Sequence, residues 1–157
     1  MKNSHLFPPT TKRVAANTAE HINQRVRQQT EAVLSYFADH PKEIGRRLEQ
    51  LDREWDIERT LEANAASFSL LGLTLAINRD GRWLALPVGV AAFLLQHALQ
   101  GWCPPVPVFR RLGVRTATEI DRERCALKVL RGDFRDMPPP QGSAGDKARQ
   151  ALAVAET

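Results

Sequence analysis

Cysteine is scarce in this chain of 157 residues, which contains only Cys103 and Cys125. Cys103 lies beside an apolar run, whereas Cys125 lies in a charged segment, so we do not expect the two to pair. A fold held together by disulfides is therefore not expected, and a reducing compartment is favoured. The first nine residues also lack the continuous apolar stretch of a signal peptide, so we expect no cleaved export signal.

A strong excess of one charge is also missing. The chain has 22 basic and 18 acidic residues, for a formal charge of +4, and the two signs alternate along most of its length. Proteins that bind nucleic acid usually present a segregated basic face. We therefore predict no nucleic-acid partner.

What the chain does contain is a pair of apolar runs, 61–77 and 83–102, separated by the charged turn 78–82. The first run would be about 25 Å long as a helix, slightly less than a bilayer core of about 30 Å. The second begins and ends near Trp83 and Trp102, which would lie about 28 Å apart on a helix. These tryptophans are therefore predicted to anchor the run at the two membrane interfaces. Together the runs predict a transmembrane helical hairpin over 61–103.

Small residues recur four apart in both runs, as Gly72 with Ala76 and Ala85 with Gly89. This spacing lets helices approach closely in lipid, so these four residues are predicted helix-packing positions and favour self-association. Arginines are more frequent outside the hairpin than in its turn, which predicts that both termini face the cytoplasm of a bacterial inner membrane. The alternative is a hairpin buried in a soluble bundle, with Gln96, His97 and Gln100 on an exposed face.

The flanking segments have the pattern of amphipathic helices. The first is predicted over 12–38 and is interrupted at His40-Pro41. The second carries Ile44, Leu48, Leu51 and Trp55 on one face, which we expect to pack against the first helix; a lipid surface or a partner is the alternative.

A third flanking helix is predicted after the hairpin. It should begin at a Thr116 or Thr118 cap and end near Gly132. The chain is thus predicted to be all-α, with a flexible start (1–11), a cytoplasmic helical region (12–60), the hairpin (61–103), a cytoplasmic linker and helix (104–135), and a disordered tail (136–157).

Residues 56–116 resemble the YgaP-like inner-membrane domain, a small two-helix bacterial membrane domain without a settled molecular role. The resemblance is carried by Asp-Ile-Glu-Arg at 56–59, Leu-Leu-Gly-Leu at 70–73, Gly-Trp-Cys-Pro at 101–104 and Leu-Gly-Val-Arg-Thr at 112–116. It implies an inner-membrane location. Some family members also carry a rhodanese domain that handles sulfane sulfur, and because the sequence contains no such domain, sulfur transfer is not carried over.

The motif at the predicted helix exit, Gly101, Trp102, Cys103 and Pro104, contains the one cysteine at a structurally marked position. Cys103 could pack or cap the helix, act as a redox or persulfide-carrying thiol, bind a metal or haem, or carry a lipid. No Cys-x-x-Cys spacing is present and His97 would supply only one further ligand, so we predict no metal and no cofactor. The Cys-x5-Arg spacing from Cys125 to Arg131 is that of a phosphatase loop, but its residues favour a helix.

The sequence therefore favours a non-catalytic, membrane-anchored assembly or interaction protein, whose partners are the lipid bilayer and either a second copy or another protein. Two alternatives stay open. One is a membrane-linked thiol carrier that uses Cys103, and the other is a soluble helical protein that binds a partner.

Overall fold

The computed structural model describes residues 9–134, which form helices and connecting turns without a strand. The α-helices are α1 (Arg13–Ala16), α2 (Glu20–Asp39), α3 (Ile44–Arg53), α4 (Ile57–Asn78), α5 (Ala85–Gln100), α6 (Val106–Arg111) and α7 (Ala117–Arg131). Short 3-10 turns occupy Pro41–Glu43 and Gly81–Leu84. The predicted all-α fold is confirmed. The predicted flexible start and disordered tail lie mostly outside the described residues.

The prediction of one continuous helix over 12–38 is wrong, because the helix is interrupted between α1 and α2. The Thr18 hydroxyl donates to the Val14 carbonyl, and the Asn23 amide donates to the Ala15 carbonyl. These side chains satisfy the carbonyls at the end of α1 that a continuing helix would have used. The break lets α1 turn towards the hairpin while α2 packs elsewhere.

Helices α2, α3 and α7 form a polar helical unit around a small apolar core. Its buried members are Ile44, Leu48, Leu51, Ile120 and Leu127, with Leu34 and Phe37 packed against them. The apolar face of α3 is therefore covered by α2 and α7. Trp55 does not share that face, because α3 ends at Arg53 and the Trp55 side chain is exposed.

Helix α7 is closed by caps at both ends. The Thr116 hydroxyl accepts from the Glu119 amide, and the Glu119 carboxylate accepts from the Thr116 amide, which completes a capping box. Gly132 ends the helix in the left-handed region, with φ of 91°. The predicted bounds of this helix are close to those observed, and Thr116 is the cap.

Helices α4 and α5 pack against each other as a hairpin. Asp56 caps α4 by accepting from the Arg59 amide at 2.8 Å. With 22 residues, α4 is about 33 Å long. The 16 residues of α5 give about 24 Å, and the preceding 3-10 turn extends it. Pro87 is the third residue of α5, where a missing N–H leaves no hydrogen bond unmade.

The outside of the hairpin is apolar and uncovered. The helical stretches Pro41–Asn78, which includes α3 and α4, and Gly81–Gln100 are both long and apolar enough to cross a membrane. Only 11% and 6% of their most apolar windows are buried. Exposed large side chains include Phe68, Leu70, Leu71, Leu73, Ile77, Leu84, Val88, Phe93 and Leu95. A helix in the core of a soluble protein would be mostly buried. The two hairpin helices are mostly exposed and so do not resemble such core helices.

Polar side chains within α4 bond to their own helix. The side chains of Asn64, Ser67, Thr74 and Asn78 each donate to the carbonyl four residues earlier, at 2.7 to 2.8 Å. Such bonds satisfy polar groups without water. These polar residues make the first run less apolar in composition. Because part of their hydrogen bonding is made within the helix, the cost of placing them in apolar surroundings is lowered.

Candidate functional site

The chain leaves the hairpin at Gly101, where it contacts α1. Gly101 has φ of 78°, a left-handed conformation that glycine adopts without steric cost. A Cβ at this position would lie 2.6 Å from the backbone carbonyl carbon of Arg13. The Asn17 amide donates to the Gln100 carbonyl at 2.8 Å and thereby binds the end of α1 to the end of α5. Gly101 is thus required both by the turn and by the neighbouring backbone.

Cys103 lies in an apolar cluster just beyond this exit. Its side chain is 2% exposed and packs with Val14, Ile57, Leu61 and Val106. Burial raises the pKa of the Cys103 thiol, and the negative charge of the Glu58 carboxylate raises it further. Since the thiolate is the reactive form, this environment favours packing over thiol chemistry.

The remaining residues of the predicted exit motif lie at the surface. Trp102 is 36% exposed and Pro104 is also exposed. Trp83, the other predicted anchor, is 45% exposed and belongs to the 3-10 turn at the opposite end of α5. The two indoles therefore occupy the two ends of the second apolar helix.

A partly buried chain of ionisable groups joins α1, α4 and α5 at the open end of the hairpin. The His97 Nε2 atom lies 2.7 Å from a Glu58 carboxylate oxygen. The other Glu58 oxygen accepts from Arg13 at 2.9 Å, and Arg13 also contacts the Ala98 carbonyl at 3.3 Å. His97 is 4% exposed, so it does not lie on the exposed face that the soluble alternative required.

Sequence reasoning missed the contributions of Arg13 and Glu58 to this chain of contacts. A signal was available in the spacing, because Glu58 precedes the buried Leu61 and Ala65 by three and seven residues. A carboxylate on the buried stripe of a helix requires a partner. Arg13 could not be found in this way, because its approach depends on the break between α1 and α2.

The four small residues predicted as helix-packing positions differ in burial and in how closely the other helix approaches them. Gly72 is buried, and a Cβ there would lie 2.6 Å from the Pro87 Cδ atom of α5. Ala76 is half-buried and Ala85 is exposed. A Cβ on Gly89 would meet no atom of the described residues within 4 Å. Close approach within the hairpin therefore occurs between Gly72 and Pro87, while Gly89 faces away from α4.

An apolar groove of about 560 Å³ runs between the hairpin and α6. Phe68 and Phe93 line it from the two hairpin helices, and Pro105 and Phe109 line it from the following segment. The other lining residues are Leu61, Asn64, Ala65, Leu86, Val90, Leu94, Cys103 and Pro104. Asn64 is the one polar amide among these lining residues, and none of them is charged. The groove therefore suits an apolar chain or helix.

Buried arginine–glutamate pairs connect the polar helical unit to this region. Arg110 is 1% exposed and binds Glu119 through two hydrogen bonds of 2.7 and 2.8 Å. Glu123 is fully buried and accepts from both Arg47, at 2.7 Å, and Arg115. Arg115 also binds Glu54 at 2.6 and 2.7 Å. This charged network was not predicted, because its members come from separate amphipathic segments.

The network changes the titration of its glutamates and fixes the start of α4. Burial alone would raise the pKa of both Glu119 and Glu123, but hydrogen bonds from the arginines outweigh it and lower both pKa values. The Arg115 backbone carbonyl accepts from the Ile57 amide at 2.8 Å. Arg115 therefore binds two glutamates through its side chain and the first turn of α4 through its backbone carbonyl.

Neither a metal site nor a phosphatase loop is found within residues 9–134. No group of three His, Cys, Asp or Glu side chains in this range is placed to hold a metal ion. Cys125 and Arg131 both lie within helix α7, so the segment between them cannot wrap a phosphate as a loop would.

The chain was compared with family models, curated proteins and solved structures, and none of the three comparisons gave a match.

Proposed function

We propose that this chain is a bacterial inner-membrane protein in which α4 and α5 insert as a hairpin and hold the polar helical unit at the cytoplasmic surface. The observation that carries the proposal is the low burial of two helices long enough to span a bilayer. In water, the exposed apolar band would drive aggregation, whereas in lipid it is matched by its surroundings. The soluble alternative is disfavoured for the same reason.

The topology follows from the shape of the hairpin and from its charges. A hairpin places both of its ends on one side of a membrane. Arg46, Arg53, Arg59 and Arg111 lie on that side, whereas Arg79 and Arg82 lie at the turn. The excess of arginine at the open end supports a cytoplasmic location for both termini. The resemblance of 56–116 to the YgaP-like domain agrees with this arrangement and remains a prediction.

The proposed role is assembly or interaction rather than catalysis. The groove between the hairpin and α6, together with the outward position of Gly89, offers surfaces for a second copy or another membrane protein. The burial of Cys103 and its raised pKa do not support a thiol carrier.

Extraction and thiol labelling test the insertion and the topology together. We expect the full chain to remain in the membrane pellet after alkaline carbonate washing. A membrane-impermeant maleimide should label an Asp80→Cys thiol at the turn in intact spheroplasts. The native Cys125 thiol, which is exposed on α7, should be labelled only after lysis. The label on the turn should be read in a Cys125→Ser background.

Two results would contradict the proposal. Release of the protein into the carbonate supernatant would exclude insertion. Labelling of Cys125, but not of the Asp80→Cys thiol, in intact spheroplasts would reverse the topology.

A further inference from the structure

Helix α6 and its C-cap residue expose two large apolar side chains and bury a charged one. Arg110 is buried, and its two terminal nitrogens donate to Glu119 and to the Val114 carbonyl, the latter at 3.0 Å, while its Nε atom has no partner among the described residues. Val108 and Leu112, on the opposite side, are 53% and 74% exposed. A surface helix in water places its charges outward and its apolar residues inward. The exposed Val108 and Leu112 side chains are therefore suited to an environment less polar than water.

The position of α6 is next to the apolar hairpin. The chain enters α6 directly after leaving α5, through Pro104 and Pro105. The inner face of α6 packs on the first turns of α4, because Val106 belongs to the same buried cluster as Ile57 and Leu61. Phe109 forms a wall of the groove that the hairpin helices also line. If the hairpin crosses a bilayer, α6 lies where the hairpin enters it.

Basic and aromatic side chains are also exposed on α6 and around the start of α4, which packs on the inner face of α6. Arg111 is exposed on the outer side of α6, and the Arg59 guanidinium lies 4.4 Å from the ring centre of the exposed Trp55. Within residues 9–134, neither arginine forms an ion pair with a carboxylate. Aromatic rings and arginines with apolar stems are typical of the headgroup region of a membrane.

We propose that Trp55, Arg59, Val108, Arg111 and Leu112 form an interfacial shoulder that binds the headgroup region of anionic phospholipids. Val108 and Leu112 enter the boundary between headgroups and acyl chains, while Arg59 and Arg111 contact lipid phosphates. The positive charge of the two arginines complements the anionic headgroups. The inference rests on the proposed insertion of the hairpin, and it assigns α6 to the membrane surface rather than to a cytoplasmic linker.

Environment-sensitive labels in vesicles test this proposal on the full chain. In a Cys125→Ser background, a fluorescent label is attached at Leu112→Cys, at Leu71→Cys in the exposed band of α4, or at Val129→Cys on α7. The vesicles contain phosphatidylcholine alone or an equal mixture with phosphatidylglycerol. We expect blue-shifted emission at positions 112 and 71. Shallow brominated lipids should quench the label at 112, and deep ones the label at 71. The label at 129 should keep a water-like spectrum.

The three positions separate failure of the shoulder from failure of the insertion. A water-like label at 112 beside a lipid-quenched label at 71 would overturn the shoulder alone. Water-like spectra at both positions would overturn the insertion as well. Emission at 112 that shifts with protein density but is not quenched by lipid would place a second copy on this surface and overturn the lipid assignment.

The lipid preference gives a second measurement. Quenching of the label at 112 by brominated phosphatidylglycerol, relative to brominated phosphatidylcholine, reports the preference for anionic lipid. Arg59→Gln and Arg111→Gln should each lower that preference by about fivefold, and more salt should weaken it. Arg122→Gln, an exposed change on α7, is the matched control and should leave it unchanged. An equal preference in all variants would exclude a role for these arginines.

Discussion

The hairpin and the polar helical unit differ in which side chains they bury and which they expose. The hairpin leaves its large apolar side chains exposed and satisfies its polar groups within a single helix, as Asn64 and Thr74 do. The polar helical unit buries a small apolar core and, beside it, charged groups such as Glu123. The surfaces of the two regions therefore suit different surroundings. The contacts that stabilise each region also differ in kind.

The largest effect should come from removing a buried charge in the polar helical unit. We expect Glu123→Ala to destabilise that unit by about 3 kcal/mol, because the partly buried Arg47 and Arg115 would lose their shared partner and Arg115 would keep only Glu54. Thermal unfolding in detergent, followed by circular dichroism, measures the change.

The matched control for this prediction is on the same helix. Asp121 forms an exposed pair with Arg124 at 2.5 Å, and Asp121→Ala should cost about 1 kcal/mol or less. Equal melting temperatures for the two variants would mean that burial of Glu123 has no energetic consequence.

A smaller effect is expected where the two hairpin helices touch. Gly72→Ala should cost about 1–3 kcal/mol, because the new Cβ would lie 2.6 Å from the rigid Pro87 ring. Gly89→Ala has open space and should stabilise α5 by up to about 1 kcal/mol. Chemical denaturation in detergent compares the two variants with the parent chain. Similar stability of both would show that the hairpin does not close at Gly72.

The smallest effect is a pH dependence confined to the polar helical unit. The pKa values of Glu119 and Glu123 are lowered in the folded chain, so their contribution is complete above the unfolded glutamate pKa of about 4.3. It should be lost progressively as the pH falls below that value, because the folded chain resists protonation of these carboxylates while the unfolded chain does not.

Amide hydrogen exchange would resolve this acid effect by region. Exchange in α7 should accelerate on acidification, after correction for the intrinsic rate, before exchange in the middle of α4 does. Simultaneous loss of protection in both helices would show that the two regions unfold as one unit.

The elements with strong periodicity were predictable from the sequence. The hairpin, the C-terminal helix and its Thr116 cap all follow from local patterns of apolar and capping residues. Helix α6 was missed because six residues that begin after Pro104-Pro105 give too little periodicity to recognise. The break after α1 was missed because Thr18 and Asn23, whose side chains bond the carbonyls at the end of α1, do not by themselves mark a helix end in the sequence.

The candidate site was predictable only in part, for a similar physical reason. The exit motif could be seen because glycine, cysteine and proline mark a turn in sequence. The Arg13–Glu58–His97 contacts and the arginine–glutamate network join residues that are far apart in the chain and individually look like solvated surface charges. Their burial is decided by how the helices dock, not by their neighbours in sequence.

The contact of α1 with Gly101 also has a consequence for the order of synthesis. Asn17 leaves the ribosome 83 residues before its partner Gln100 and has no hairpin exit to bind until both apolar helices have emerged. The arginine–glutamate network likewise waits for α7, whose Glu123 appears later still. The chain must therefore complete its hairpin before α1 can dock on the hairpin exit and before the arginine–glutamate network can close, which makes the hairpin an early step of folding and the network the last.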